Sequence, residues 1–238
     1  MKYRMNIVRF LFFCGLFLAL DFTYVFTNHF ESDYDSLTIA IMNSSIGYNN
    51  LYVVIGIVVS IMFILNLNKI RFVRDPAFII RNGKKNYLRY LVKDVLISAV
   101  LFSSEFVMAE ILICTIRFKN ELLIDTGFYW CCILYSVMLC GYFLIVGIST
   151  VLINILCNFS KTSYIISIVF FLALNSLVLL NIRISPLYFS QFISDWFTDG
   201  YFNYLDYTTN VITSLCVFWG INYLANIVLL RKDLIFNE

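Results

Sequence analysis

Six apolar runs, each close to the length of a membrane crossing, dictate what this chain can fold into. They fall at Ile7 to Phe26, Leu51 to Leu67, Val95 to Ile116, Phe128 to Ile153, Tyr164 to Ile182 and Asn210 to Leu230. A helix needs ~20 apolar residues to cross the hydrocarbon layer. The runs therefore use about half of the 238 residues and leave connections too short for a soluble domain. A soluble globule could not hide a chain that is 61% hydrophobic and 13% charged, with a mean hydropathy of +0.84. In lipid the backbone must satisfy its own hydrogen bonds, so each run reads as a helix. The expected fold class is an all-α integral membrane protein, a single domain over residues 1–238 with six transmembrane helices. The second run is near the short limit, and the fourth is long enough to tilt or project beyond the bilayer.

Charge gives the orientation. Of the 17 Lys and Arg residues, only Arg117, Lys119 and Arg183 follow the first, third or fifth run, where Glu31, Asp33, Asp35, Glu121, Asp125, Asp195, Asp199 and Asp206 also lie. The remaining cations, densest from Lys69 to Lys93, fall on the other side, so the positive-inside rule places both termini in the cytoplasm. Lys2, Arg4 and Arg9 precede a first run that is long for a signal peptide and ends in Asp21 and Tyr24-Val25-Phe26, so an uncleaved span is expected. A net charge of +2, sorted by loop, offers nothing to nucleic acid. The seven cysteines lie in or beside apolar runs without a C-x-x-C pair and read as small buried hydrophobes.

Two connecting segments carry helix punctuation. Between the second and third runs, Asp75 can cap a short helix, Pro76 suits its first position and Gly83 its end, with Phe78, Ile79 and Ile80 between. Two turns are marginal alone in water, so the apolar residues need a partner surface or the headgroup layer. A basic loop that only sets topology and touches lipid fits the same residues. After the fifth run, Ser185-Pro186 and Gly200 bracket a segment in which Phe189, Phe192, Ile193, Trp196 and Phe197 recur at helical spacing. This predicts an amphipathic helix at the outer interface, followed by the tyrosine-rich stretch Tyr201 to Tyr207.

Asp21, Glu105 and Glu110 are the carboxyls inside the runs, each costing ~2.5 to 3.5 kcal/mol at mid-span, and each therefore expected to face a cavity, a partner helix or water. They are the intramembrane pathway candidates. Five residues separate Glu105 from Glu110, about 140° around a helix, so the two cannot share one narrow path. The asparagines within the runs read as glue between helices, and Gly141 and Gly147 as positions of close packing. His29 is the only histidine, so neither a metal cluster nor a Ser/His or Cys/His pair is expected within a span. The chain lacks the P-loop pattern, so no cofactor and no catalytic residue are expected, and ATP-driven work would need a separate ATPase.

This layout, six spans with both ends inside, a capped inner helix between spans two and three and an outer amphipathic segment before the last, resembles the permease half of ABC-2 type transporters. The resemblance is one of architecture over the whole chain. It implies that Asp75, Pro76, Phe78, Ile79, Arg81 and Gly83 belong to the coupling helix that docks on the ATPase, and that Pro186 to Tyr207 match the outer re-entrant helices that shape the exit. The chain departs from the pattern at its start, where only Met1 to Asn6 precede the first run instead of a longer amphipathic helix. The implied function is a bacterial cell-membrane permease subunit that exports or clears a hydrophobic or amphipathic substrate such as a peptide or bacteriocin. Its implied partners are a cytoplasmic ATP-binding subunit, a second permease subunit in a homo- or heterodimer, and the lipid bilayer. A substrate-capturing membrane subunit of an importer, and a membrane scaffold or assembly factor that transports nothing, are the alternatives.

Overall fold

The computed structural model describes residues 2–27, 39, 41–43, 47–69, 76–157, 162–177, 186–187, 192–199 and 202–231, with the backbone alone over 76–82. All regular structure among them is helical: α1 (Lys2–Thr27), α2 (Leu51–Val59), α3 (Ser60–Lys69), α4 (Pro76–Arg117), α5 (Asn120–Asp125), α6 (Phe128–Leu156), α7 (Thr162–Ser176), α8 (Phe192–Asp199) and α9 (Tyr204–Arg231). Three helical stretches, Gly83–Arg117, Phe128–Leu156 and Tyr204–Arg231, are long and apolar enough to cross a membrane. The apolar stretches Leu11–Thr23, Val53–Leu67 and Thr162–Ser176 are shorter.

The axis of the fold is α6. Every residue from Gly141 to Val151 is buried, so this stretch is covered on all sides, as a central helix must be. Glycine makes that enclosure possible. A Cβ on Gly141 would lie 2.8 Å from Ser214 Oγ of α9, and one on Gly147 would lie 2.5 Å from Val95 Cγ1 of α4. Neighbouring helices thus approach α6 more closely than any side chain would allow.

Paired contacts fix the direction of each helix relative to the others. Phe13 meets Phe102, and four residues on Phe17 meets Phe106, so α1 runs parallel to α4. Between α4 and α6 the pairs are Val95 with Gly147 and Phe102 with Phe143, an antiparallel arrangement. Asn154 with Ser163 and Tyr142 with Asn175 make α7 antiparallel to α6. Leu134 with Tyr207 and Gly141 with Ser214 make α9 parallel to it. Ser60 with Tyr142 and Phe63 with Phe143 make α3 parallel to it as well. Consecutive columns α1, α2 with α3, α4, α6, α7 and α9 therefore alternate in direction.

Several expected boundaries move. The third apolar run does not begin a helix at Val95: α4 is continuous from Lys84 and reaches back to Pro76 across a break at Gly83. Gly83 has φ 75° and ψ 156°. Its φ is positive, as a helix stop requires, but its ψ lies outside the left-handed helical well, in a region essentially reserved for glycine. The stretch Lys84 to Asp94 was expected as basic loop and is helix because its polarity has a face. Tyr87, Leu88, Leu91 and Val95 are buried, while Lys85, Arg89 and Lys93 are exposed. The last helix likewise starts at Tyr204 instead of Asn210. In the outer segment, Pro186 and Leu187 are helical and α8 runs over Phe192–Asp199, while residues 188–191, on which a helix continuous from Pro186 depends, lie outside the described residues. At the other end, α1 begins at Lys2, so residues before the apolar run extend the first helix. Asp75 and Phe189 lie outside the described residues.

Candidate functional site: a buried acidic cluster

The segment between α1 and α2 returns into the bundle. Ile39, Met42, Asn43, Tyr48 and Asn49 are buried, and the Tyr48 ring stacks on Phe106 of α4 at 4.6 Å between centroids. The Tyr48 hydroxyl donates to the Phe106 carbonyl at 3.3 Å. That seating delivers Asn49 to Glu110: its Nδ2 donates to Glu110 Oε1 at 2.8 Å and to Asn43 Oδ1 at 2.7 Å, while Asn43 Nδ2 donates to the Ile39 carbonyl at 2.8 Å. Parallel packing of α1 on α4 brings Asp21 to the level of Glu110, and the two carboxyls lie within electrostatic reach of each other. Both are 0% exposed. Tyr135 and Cys131 of α6 and Cys114 of α4 complete the surroundings and interact electrostatically with Glu110.

Of the three intramembrane carboxyls, the structure thus brings together Asp21 and Glu110 and separates Glu105. Glu105, 5% exposed, lies within electrostatic reach of Arg9 on α1, and Arg9 in turn of Asp94. Glu105 thus faces the α1–α4 seam apart from Glu110, in agreement with the angle between positions 105 and 110. Sequence reasoning missed Asn43, Tyr48 and Asn49. The usable signal was two polar residues, Asn49 and Asn50, directly before an apolar run, where Asn50 in fact caps α2 by accepting from Val53 N at 2.7 Å.

A second polar cluster lies deeper. The whole of α2, Leu51–Val59, is wound as a π-helix, with Ile55 N donating to the Asn50 carbonyl five residues back at 3.1 Å. Here the Gly56 carbonyl accepts from Asn175 Nδ2 of α7 at 2.8 Å. The same amide nitrogen donates to the Tyr142 hydroxyl at 2.8 Å, which pairs with Ser60 Oγ at 2.6 Å, and Ser60 Oγ donates to the Ile55 carbonyl at 2.7 Å. π-Helical turns recur at functional positions. This one is locked from α6 and α7 by a connected set of bonds.

Beyond the acidic cluster, α8 sits on the start of α6. Trp196 Nε1 donates to the Thr126 carbonyl at 3.1 Å, Phe192 packs edge-on to Tyr135 and Tyr207, and Phe197 lies against Phe128. Ile193 is fully buried. Gly127, with φ 66°, lets the chain turn from α5 into α6 beneath Trp196. The expected aromatic face of the outer helix therefore packs on the bundle. Pro76, Phe78, Ile79 and Arg81 fall on the short helical stretch before the Gly83 break. Between α4, α6 and α9 runs a mostly apolar groove of about 330 Å³, lined by Val100, Val137, Leu144, Val211 and Leu215 with a few hydroxyls such as Ser103 and Ser214 among them. Among the described residues no three His, Cys, Asp or Glu side chains converge on one point. Compared with protein-family models, curated proteins and solved structures, the chain matches none.

Proposed function

We propose that this chain is the membrane-spanning permease subunit of an ATP-driven transporter of the ABC-2 type. It crosses the cell membrane six times with both termini in the cytoplasm, and exports or clears a hydrophobic or amphipathic substrate such as a peptide. The observation that carries the reading is the separate short helix before Gly83. It is joined to α4 through a single glycine in a conformation other residues avoid, at the end of the helix where exposed Lys85, Arg89 and Lys93 gather. A push on such a helix is passed directly into a continuous helix of 35 residues, about 52 Å long, that reaches the acidic cluster. The alternating directions of the helical columns support six crossings, and the excess of cations on one side supports the orientation.

On this reading, Asp75 to Gly83 docks on a cytoplasmic ATP-binding subunit, and the exposed face of α9, with Ile212, Trp219, Tyr223 and Leu224, meets lipid or a second permease subunit. ATP hydrolysis belongs to the partner. The test is co-purification with the ATPase encoded beside this chain, followed by transport in vesicles. Arg81→Glu should abolish both complex and transport, and retention of both would end the coupling assignment. The substrate-capturing subunit of an importer is the second reading, favoured by the buried polar residues Asp21, Glu110 and Asn49. It requires tight binding of a small molecule by the isolated chain in detergent.

A further inference from the structure

One face of α4 carries cations first and an apolar groove after them. Lys85, Arg89 and Lys93 recur at every fourth residue, are exposed, and enter no ion pair among the described residues. Like charges at that spacing work against a helix, so the stripe is best accommodated against anions. At 100° per residue these three lie with Leu96, Val100, Ser103 and Ser104 inside one sector of about 100°. Asp94 and Glu105 lie outside that sector, within electrostatic reach of Arg9 on α1. Exposed Leu96, Ile97 and Val100 follow Lys93 directly, so the hydrocarbon layer begins about one turn beyond it. Lys93 and Arg89 then stand ~5 and ~10 Å below Leu96, where their long side chains reach a headgroup layer ~5 to 8 Å thick. Lys85, ~16 Å below, projects past it.

Further along the same face, Val100, Ser103 and Ser104 form the α4 wall of the groove shared with α6 and α9. Its hydroxyls are already answered: Ser103, Ser104, Ser136 and Ser214 donate to the carbonyls of Val100, Leu101, Ile133 and Val211. An occupant therefore needs no hydrogen bond. A volume of about 330 Å³ spread over the ~12 Å from Ser136 to Leu144 leaves a section of about 28 Å², a third of that of a helix ~10 Å across. An alkyl chain fits there and a helix of a second copy does not. From Lys93 to this wall is ~10 to 17 Å along α4, the depth of one leaflet. We infer that this face holds one anionic phospholipid of the leaflet at the basic end of α4, its phosphate between Arg89 and Lys93 and one acyl chain in the groove. Cations one turn apart, with Cβ atoms ~5 to 6 Å from each other, can share a phosphate. The chain would fill the seam where α9 meets α4 and α6, so the anionic content of the bilayer bears on how α9 is held. The inference rests on α4 crossing the membrane and does not depend on an ATPase.

The experiment takes the purified full chain, delipidated in detergent, and follows bound lipid by native mass spectrometry during titration with dioleoylphosphatidylglycerol or dioleoylphosphatidylcholine. Binding of the anionic lipid about tenfold or more tightly is expected. Arg89→Gln with Lys93→Gln should cut that preference to under about threefold while Lys85→Gln leaves it in place. Ser104→Phe, which fills the groove, should weaken both lipids by about fivefold or more. Glycerol phosphate, which lacks the chain, should not compete. Equal binding of the two lipids, or a preference that survives the double substitution, overturns the headgroup assignment. Competition by glycerol phosphate, or unchanged binding by a folded Ser104→Phe chain, overturns the groove. If Ser104→Phe fails to fold, Val137→Phe, from an exposed position on the α6 wall, decides in the same way. A chain that alkaline carbonate strips from membranes would overturn the crossing of α4 and the inference with it, whereas an embedded chain that binds both lipids alike overturns the inference alone.

Discussion

The bundle buries two polar clusters that differ in one respect. Around Tyr142, hydroxyl, amide and carbonyl groups from α2, α3, α6 and α7 answer one another. Around Glu110, five side-chain oxygens, on Asp21, Asn49, Glu110 and Tyr135, lack a partner among the described residues. Low dielectric strengthens a satisfied network and penalises an unsatisfied one. The Tyr142 cluster is therefore a device for holding helices in register. The Glu110 cluster is left unsatisfied among the described residues, so burial works against it instead of for it.

The largest effect should come from breaking the satisfied cluster. Asn175→Leu removes the donor shared by the Gly56 carbonyl and the Tyr142 hydroxyl and breaks the polar link from α7 to α2 and α6. A loss of about 2 to 4 kcal/mol is expected, measured by unfolding in a detergent series. A loss under ~1 kcal/mol would show that the network does not hold α7 to α2.

Next in size is the close packing that sets α6 beside α4. Gly147→Ala places a methyl 2.5 Å from Val95 Cγ1 and should cost about 1 to 3 kcal/mol, with partial recovery when Val95→Ala is added. Recovery in the double variant distinguishes a steric cause from a change in helix propensity, since alanine is intrinsically the better helix former. An additive result would place the strain elsewhere.

In the Glu110 cluster the sign should reverse. Asp21→Asn supplies a donor pair where both carboxyl oxygens lack one. The variant is expected to be as stable as the unaltered chain or more so, by up to ~1 kcal/mol. A loss comparable to that of Asn175→Leu would erase the distinction between the clusters.

That distinction was only half legible in the sequence. Asp21 and Glu110 announce themselves, because a carboxyl inside an apolar run is costly wherever it faces. Their meeting was not legible. It depends on the parallel packing of α1 and α4 and on a returning segment, and a segment such as Ile39 to Asn50 has no periodicity to read. Asn175 was readable only as generic helix glue, since one of its partners is the backbone carbonyl of Gly56, which no side-chain pattern announces. Gly83 was readable because its role is conformational and local. The length of α4 was not, for mean hydropathy falls over Lys84 to Asp94 although a buried face at Tyr87, Leu88, Leu91 and Val95 continues through it.

The smallest effect on stability, and the sharpest on function, is expected at Arg81. It lies across the Gly83 break from both clusters, and neither draws on the helical stretch it belongs to. Arg81→Glu should therefore leave the unfolding temperature within about 1 °C of the unaltered chain, as substitutions away from buried features do. If the short helix is a docking element, the same substitution should strip a co-expressed ATPase from the purified complex, because reversing one charge at an interface costs affinity by repulsion as well as by loss. A fall in stability with no change in partner binding would make the helix part of the bundle's own scaffold. It would also detach the basic end of α4 from energy coupling, leaving the acidic cluster as the functional centre to pursue.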